Sequence, residues 1–305
     1  MEGQTDARRG EALGVWVLLA VAVCWGLTFF STKDMLDRMP VTDFLSVRFG
    51  LATLVLIAIA PKALKMRAIV FWRGALIGTV FAIAMLTQTF GLERTSASVC
   101  GFITGLYIVF TPFLGAFLFK ARPKPIVWLA VILATIGLAV LALRFEAGTV
   151  FGFGEWLVLI SALGWAFHIT LVGRWSAPGE VMSLTIVQTG VGSVIFLAGG
   201  LWDGLTLPAN GPDWAWMAFF AVVVGAGTEM AQFWAQTRVE ASKAAILMVT
   251  EPLWASLFAV LFGGESVTWR LLAGGGLMAA AMIMAILAAP TETKPLAATD
   301  DRSAD

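Results

Sequence analysis

The sequence predicts an all-α integral membrane protein, with ten transmembrane helices arranged as two inverted five-helix repeats around a central cavity. Three observations predict it. Of the 305 residues, 59% are apolar and only 13% charged, where a soluble domain averages roughly 45–50% and 25%. The apolar residues fall into ten segments of span length. The two halves of the chain also resemble each other at an offset of 140 to 144 residues.

A helix needs roughly 20 mostly apolar residues to cross about 30 Å of hydrocarbon. The segments 12–32, 44–60, 70–90, 97–119, 126–143, 153–172, 182–201, 214–236, 243–262 and 270–289 meet that need. Lipid offers no hydrogen bonds, so each must be a helix or a strand of a closed barrel. Runs such as Ile126–Leu143 lack the alternation of barrel strands. Loop chemistry separates them: Met39-Pro40, Pro61-Lys62, Arg122-Pro123-Lys124-Pro125 and Ala209-Asn210-Gly211-Pro212. The tails 1–11 and 290–305 are polar and expected to be disordered, and no cleavable signal peptide is expected.

Lysine and arginine divide unevenly between the two sides. One side carries Arg8, Arg9, Lys62, Lys65, Arg67, Arg73, Lys120, Arg122, Lys124, Arg174, Arg238, Lys243, Lys294 and Arg302. The other carries Lys33, Arg38, Arg94, Arg144 and Arg270, with Arg48 inside the second span. The positive-inside rule then places both termini in the cytoplasm.

Composition also excludes function classes. Twenty basic and 20 acidic residues cancel, leaving no net field to draw nucleic acid. A single histidine, His168, makes neither a zinc cluster nor a catalytic triad with spares. Cys24 and Cys100 lie inside apolar runs, so no disulfide framework is expected. No glycine-rich nucleotide fingerprint opens a helix. No metal and no cofactor are therefore expected. The partners are a small-molecule substrate and the bilayer, and the protein is expected to be a monomer.

The repeat sets the architecture. An offset of 140 brings Trp25 onto Trp165, Arg48 onto Gln188 and Pro112 onto Pro252; an offset of 144 brings residues 91–98 onto 235–242. The slip of about one helical turn falls inside the fourth span. Five spans per half turn the second half upside down. Inverted repeats are the architecture of secondary transporters, whose substrate site lies near mid-membrane where the halves meet.

Polar groups at membrane depth mark the candidate site. Glu251 stands before Pro252, which disturbs the preceding turn, and Pro112 does the same in the fourth span; both prolines are candidate hinges. Glu229 and Glu251 can each bind a substrate ammonium or carry a coupling proton, or pair with a basic side chain such as Arg48. Gln88, Gln188 and Gln232 offer donors and acceptors suited to a zwitterion, or interhelical hydrogen bonds. Glu229, Gln232 and Gln236 share one helix face. His168 shares a face with Trp165, as cavity wall or packed hydrogen-bonding group. Trp25, Trp165, Trp254 and Tyr107 sit deep enough to line an apolar pocket or to pack the core. Trp16, Trp72, Trp128, Trp156, Trp214, Trp216 and Trp269 sit near span ends, where they anchor the interface.

In their order and spacing, Trp25-Gly26, Phe29-Phe30, Lys33, Arg48-Phe49, Thr95-Ser96-Ala97, Thr111-Pro112, Glu251-Pro252 and Gly264-Glu265 resemble the drug/metabolite transporter superfamily of EamA type. The likeness covers residues 12–289 and is greatest to bacterial inner-membrane exporters of aromatic amino acids and related metabolites. It implies export of neutral amino acids from the cell across the inner membrane. Glu265 departs from internal symmetry, because the matching place in the first half reads Lys120-Ala121-Arg122-Pro123; no site role is assigned to it. The alternatives are an efflux carrier for drugs or organic cations, and a membrane scaffold that transports nothing. An enzyme is not expected, since His168 has no catalytic partners.

Overall fold

A computed structural model describes residues 2–119, 125–142, 152–201, 204–239, 241–248 and 250–288. The motif Lys120-Ala121-Arg122-Pro123, the basic residues Lys124, Arg144, Lys294 and Arg302, and the tail 290–305 lie outside the described residues. The described chain is helical, with no strand among the described residues.

The first helix, α1 (Glu2–Leu36), begins earlier than the sequence suggests. The segment 2–11, expected to be disordered, extends it, because Ala7, Arg8, Arg9, Glu11 and Ala12 are good helix formers on an already nucleated helix. After Met39-Pro40 comes α2 (Val41–Ile59), and a 3-10 turn at Pro61–Leu64 leads to α3 (Ala68–Arg94). Ser96 caps α4 (Ala97–Thr104), its hydroxyl accepting from the Val99 amide at 3.2 Å. Then follow α5 (Tyr107–Phe119) and α6 (Pro125–Ala142).

The second half holds α7 (Phe153–Trp175), α8 (Val181–Gly200) and α9 (Gly211–Phe219), which Asn210 caps. A π-helical segment, Phe220–Thr228, runs on into α10 (Glu229–Gln236). The chain ends in α11 (Ala241–Met248), α12 (Glu251–Leu261) and α13 (Trp269–Ala288).

Six stretches among the described residues are long and apolar enough to cross a membrane: Arg9–Leu36, Val41–Ile59, Ala68–Arg94, Phe153–Trp175, Val181–Gly200 and Gly211–Gln236. Two segments that read as single spans in the sequence are broken. The fourth splits at Gly105-Leu106 and the ninth between Met248 and Glu251. The fifth and tenth correspond to α6 and α13, of 18 and 20 residues.

Helices in lipid gain little from hydrophobic association and depend on close packing, so the closest contacts reveal how they run. Gly74 lies against Val187 and Gly78 against Gln188 and Val191, which makes α3 parallel to α8. Gly91 meets Val158 and Gly164 meets Ala84, so α3 is antiparallel to α7. Likewise α2 is antiparallel to α8, through Gly50 at Ser193 and Gly199 at Thr42. Gly14 at Ala235 and Trp25 at Thr228 set α1 antiparallel to α10. Phe44 at Phe220 and Ala52 at Gly225 set α2 parallel to the π segment. Gly26 at Trp254 and Phe30 at Phe262 set α1 parallel to α12. Linked together, these contacts make α7 antiparallel to α1. The pairs also answer one another across the halves: α3 on α7 matches α10 on α1, and α3 on α8 matches the π segment on α2.

Turns therefore collect at two ends, and polar contacts tie the halves at each. At the end holding the α1 carboxyl terminus, Arg38 pairs with Asp213 at 3.1 Å and the Thr206 amide donates to Asp43 at 2.8 Å. There too Thr95 donates to Glu155 at 2.9 Å and the Ala97 amide to Glu265 at 2.7 Å. At the other end Arg67 pairs with Glu180 at 2.5 Å, and Ser183 donates to the Ala63 carbonyl at 2.8 Å. Outward faces are apolar: Trp16, Trp72, Trp128, Trp156 and Trp269 are all more than half exposed, as a lipid-facing surface allows.

Candidate functional site

A hollow lies where the two halves meet. Its walls are Trp25, Thr28, Phe29 and Thr32 of α1, Arg48 of α2, and Met85, Gln88, Thr89 and Leu92 of α3. Thr104 and Tyr107 flank the α4–α5 break, α7 gives Trp165 and Ile169, and Glu229 and Glu251 complete the lining. The space open to the centre of a water molecule is about 50 Å³, room for on the order of four waters at roughly 10–15 Å³ each.

Broken helices put three of these residues in place. Thr104 ends α4, Tyr107 starts α5 and Glu251 starts α12. Tyr107 and Glu251 are 144 positions apart, the offset that also carries the bounds of α4 onto those of α11: the first residue after the break is a phenol in one half and a carboxylate in the other. Pro252 sits in the first turn of α12, where its missing N–H would have had no helical partner anyway. Pro112 does not mark the matching break. α5 continues through it, and the chain breaks earlier, at Gly105-Leu106, where Gly101 packs against Pro252 and Ala255. The Pro112 side chain lies outside the described residues.

Arg48 is 4% exposed, its guanidinium 4.8 Å from the Phe49 ring centre, 5.2 Å from Phe220 and 6.0 Å from Phe44. Its Nε has no hydrogen-bond partner among the described residues. Glu229 lies within its electrostatic reach, with no direct ion pair between them. Glu229 Oε2 accepts from Gln188 Nε2 at 2.7 Å. Glu251 has no hydrogen bond or ion pair among the described residues, and the nearby Tyr107 hydroxyl is also unpartnered among them.

The aromatic wall is Trp25 and Trp165, ring centres 6.2 Å apart and tilted by 35°. Trp25 donates to Thr228 at 2.8 Å, while the Trp165 N–H has no partner among the described residues. Gln88 donates to Thr104 at 3.0 Å.

Of the residues expected in the site, the structure brings Trp25, Gln88, Tyr107, Trp165, Glu229 and Glu251 to the hollow. His168, Gln188, Gln232 and Trp254 do not line it. His168 and Gln188 are fully buried behind Glu229, their side chains 2.7 Å apart. Gln232 donates to Gln236 within α10, and Gln236 reaches the Ile169 carbonyl of α7 at 3.1 Å, so this part of the polar face bonds protein groups. Trp254 packs against Gly26 and stacks on Phe258 at 6.2 Å.

Arg48 was legible in the sequence as a buried charge, although only as a pairing partner. The lining threonines were not, because threonine in a helix commonly bonds its own backbone. Among the described residues no group of histidine, cysteine, aspartate or glutamate could hold a metal ion.

A polytopic helix bundle with a polar, aromatic hollow between two related halves is the architecture of a membrane carrier. The chain belongs to the EamA-like transporter family, which it matches over residues 12–143 and again over 152–287. It is similar to an uncharacterized transporter of Archaeoglobus fulgidus, 28% identical over 86% of this chain and 83% of that one. It is also similar to the uncharacterized transporter YvbV of Bacillus subtilis, 26% identical over 85% and 86%. A solved crystal structure superposes with a TM-score of 0.66 at 15% identity, covering 92% of this chain and 98% of that one; at that identity the likeness shows the fold alone.

Proposed function

We propose that the chain is a secondary transporter that exports neutral amino acids, aromatic ones included, and similar small metabolites by alternating access. In this reading ten spans form two inverted five-helix repeats, residues 12–143 and 144–289. They sit in a bacterial inner membrane with both termini cytoplasmic, working as a monomer and leaving the solute chemically unchanged. One observation carries it: the hollow combines a guanidinium, a carboxylate with no partner among the described residues and paired indoles. A zwitterion's carboxylate suits Arg48, its ammonium suits Glu251, and a ring suits the gap beside Trp25 and Trp165.

The antiparallel course of α1 and α7 supports the inverted repeat. The small volume supports alternating access: a space for a few waters is too small for an aromatic amino acid, so loading requires one end to open. The cross-half contacts at Arg38–Asp213 and Arg67–Glu180 are the ties that such opening would break.

The test is counterflow of radiolabelled tryptophan and phenylalanine into liposomes containing the purified chain. Uptake no faster than into empty liposomes removes the amino-acid assignment. Efflux of organic cations is the second reading, favoured by the lack of any described partner for Glu251. Glu251→Gln separates the two: it should weaken cation transport far more than zwitterion transport if cations are the substrates, and both alike if zwitterions are.

A further inference from the structure

Two residues behind the hollow form a continuous chain with one that lines it. An ionised carboxylate only accepts hydrogen bonds, so Gln188 presents its NH2 to Glu229 Oε2, at 2.7 Å. The amide oxygen then faces His168 Nε2, at 2.7 Å, and His168 must donate through Nε2–H. This polarity fixes the tautomer and leaves a bare lone pair on Nδ1, which has no partner among the described residues. None of the three is more than 1% exposed. The imidazole is wedged between Phe81, Trp165 and Phe233, at ring distances of 5.7, 5.5 and 6.4 Å.

We infer that His168 is a positioning residue for transport: through Gln188 it holds the Glu229 carboxylate in one orientation, Oε2 tied back and Oε1 left for the hollow that holds Arg48. The same ring presses on the Trp165 indole, so one anchor sets a charged wall and an aromatic wall. Without it the Gln188 amide is free to flip and turn its oxygen against the carboxylate. This role rests on the hollow being the substrate site.

The chain has one histidine, so 15N-histidine labelling, with a histidine-free affinity tag and lipid nanodiscs, yields a single imidazole in the NMR spectrum. The expected spectrum shows a protonated, hydrogen-bonded Nε2 and a bare Nδ1, with the Nε2 resonance displaced by Glu229→Leu and by Gln188→Leu. A protonated Nδ1, or an Nε2 resonance unmoved by Glu229→Leu, overturns the inference.

In tryptophan counterflow, His168→Leu should raise KM about tenfold. His168→Gln, whose amide nitrogen reaches the Nε2 position, should restore most of the affinity, and in a Glu229→Gln background the effect of His168→Leu should shrink to what the loss of its contact with Trp165 leaves. A loss of maximal rate at constant KM, equal in both backgrounds, marks a merely structural role and overturns the inference. If the unmodified chain does not move tryptophan, the amino-acid reading falls, and the imidazole spectrum alone decides whether the chain of hydrogen bonds exists.

Discussion

Arg48 offers the sharpest test of how the hollow holds its charges. Replacing it by leucine removes three cation–ring contacts, at 4.8, 5.2 and 6.0 Å, together worth about 2 kcal/mol in a desolvated setting. It also strands the buried Glu229 carboxylate. Opposite charges roughly 5–8 Å apart, at an effective dielectric near 20, attract by about 2–3 kcal/mol. Arg48→Leu should therefore destabilise the fold by about 4 kcal/mol, the range seen when one partner of a buried pair is lost. Glu229→Gln strands the arginine in turn. The double variant should recover the shared part, giving a coupling energy of about 2–3 kcal/mol. Unfolding titrated with a denaturing detergent, followed by thiol labelling of Cys24 and Cys100, supplies the four free energies. Additive effects, with coupling below about 0.5 kcal/mol, would show that Arg48 and Glu229 ignore each other, and the electrostatic reading of the hollow would be refuted.

Two further predictions concern the backbone. Pro252→Ala restores an amide at the start of α12 and should let α11 and α12 merge, carrying Glu251 away from the hollow; tryptophan counterflow should fall at least tenfold, while Pro112→Ala, inside a continuous α5, should change it less than threefold. Gly91→Ala places a methyl group 2.8 Å from the Gly154 carbonyl, so α3 and α7 must separate; a loss of about 1–3 kcal/mol is expected. At Gly276, where an added methyl meets nothing within 4 Å, the same change should stabilise by up to about 1 kcal/mol through helix propensity, and equal effects at both positions in thermal unfolding would contradict the packing described.

Much of the framework was readable because lipid leaves few choices. The apolar runs anticipated an all-helical chain, though two of the ten are broken and six described stretches are long enough to span, and recurring Trp25 and Trp165 marked the aromatic wall. What escaped the sequence has physical causes. Pro252 starts a helix instead of interrupting one, and α5 continues through Pro112, while the matching break lies at Gly105. The π-helical segment has no compositional mark, yet it sets the phase in which Glu229 emerges. The face shared by Glu229, Gln232 and Gln236 does point inward, but periodicity cannot tell a hydrogen bond to a neighbouring helix from a wall of a cavity. Trp254, three residues after Glu251, lies about 60° round the helix from it, enough to turn its ring toward α1.

The unlike residues at related positions of the hollow have a thermodynamic consequence. In the proposed reading of two inverted halves, chemically identical halves would make a carrier facing inward and one facing outward the same object seen from opposite sides, with equal energies and equal populations. Tyr107 answering Glu251, both in the hollow, and Arg48 in the hollow answering Gln188 behind it would lift that degeneracy. In the proposed alternating-access reading, the resting bias would lie in the differences between the halves, and exchanging such a pair of residues between halves should tilt it the other way.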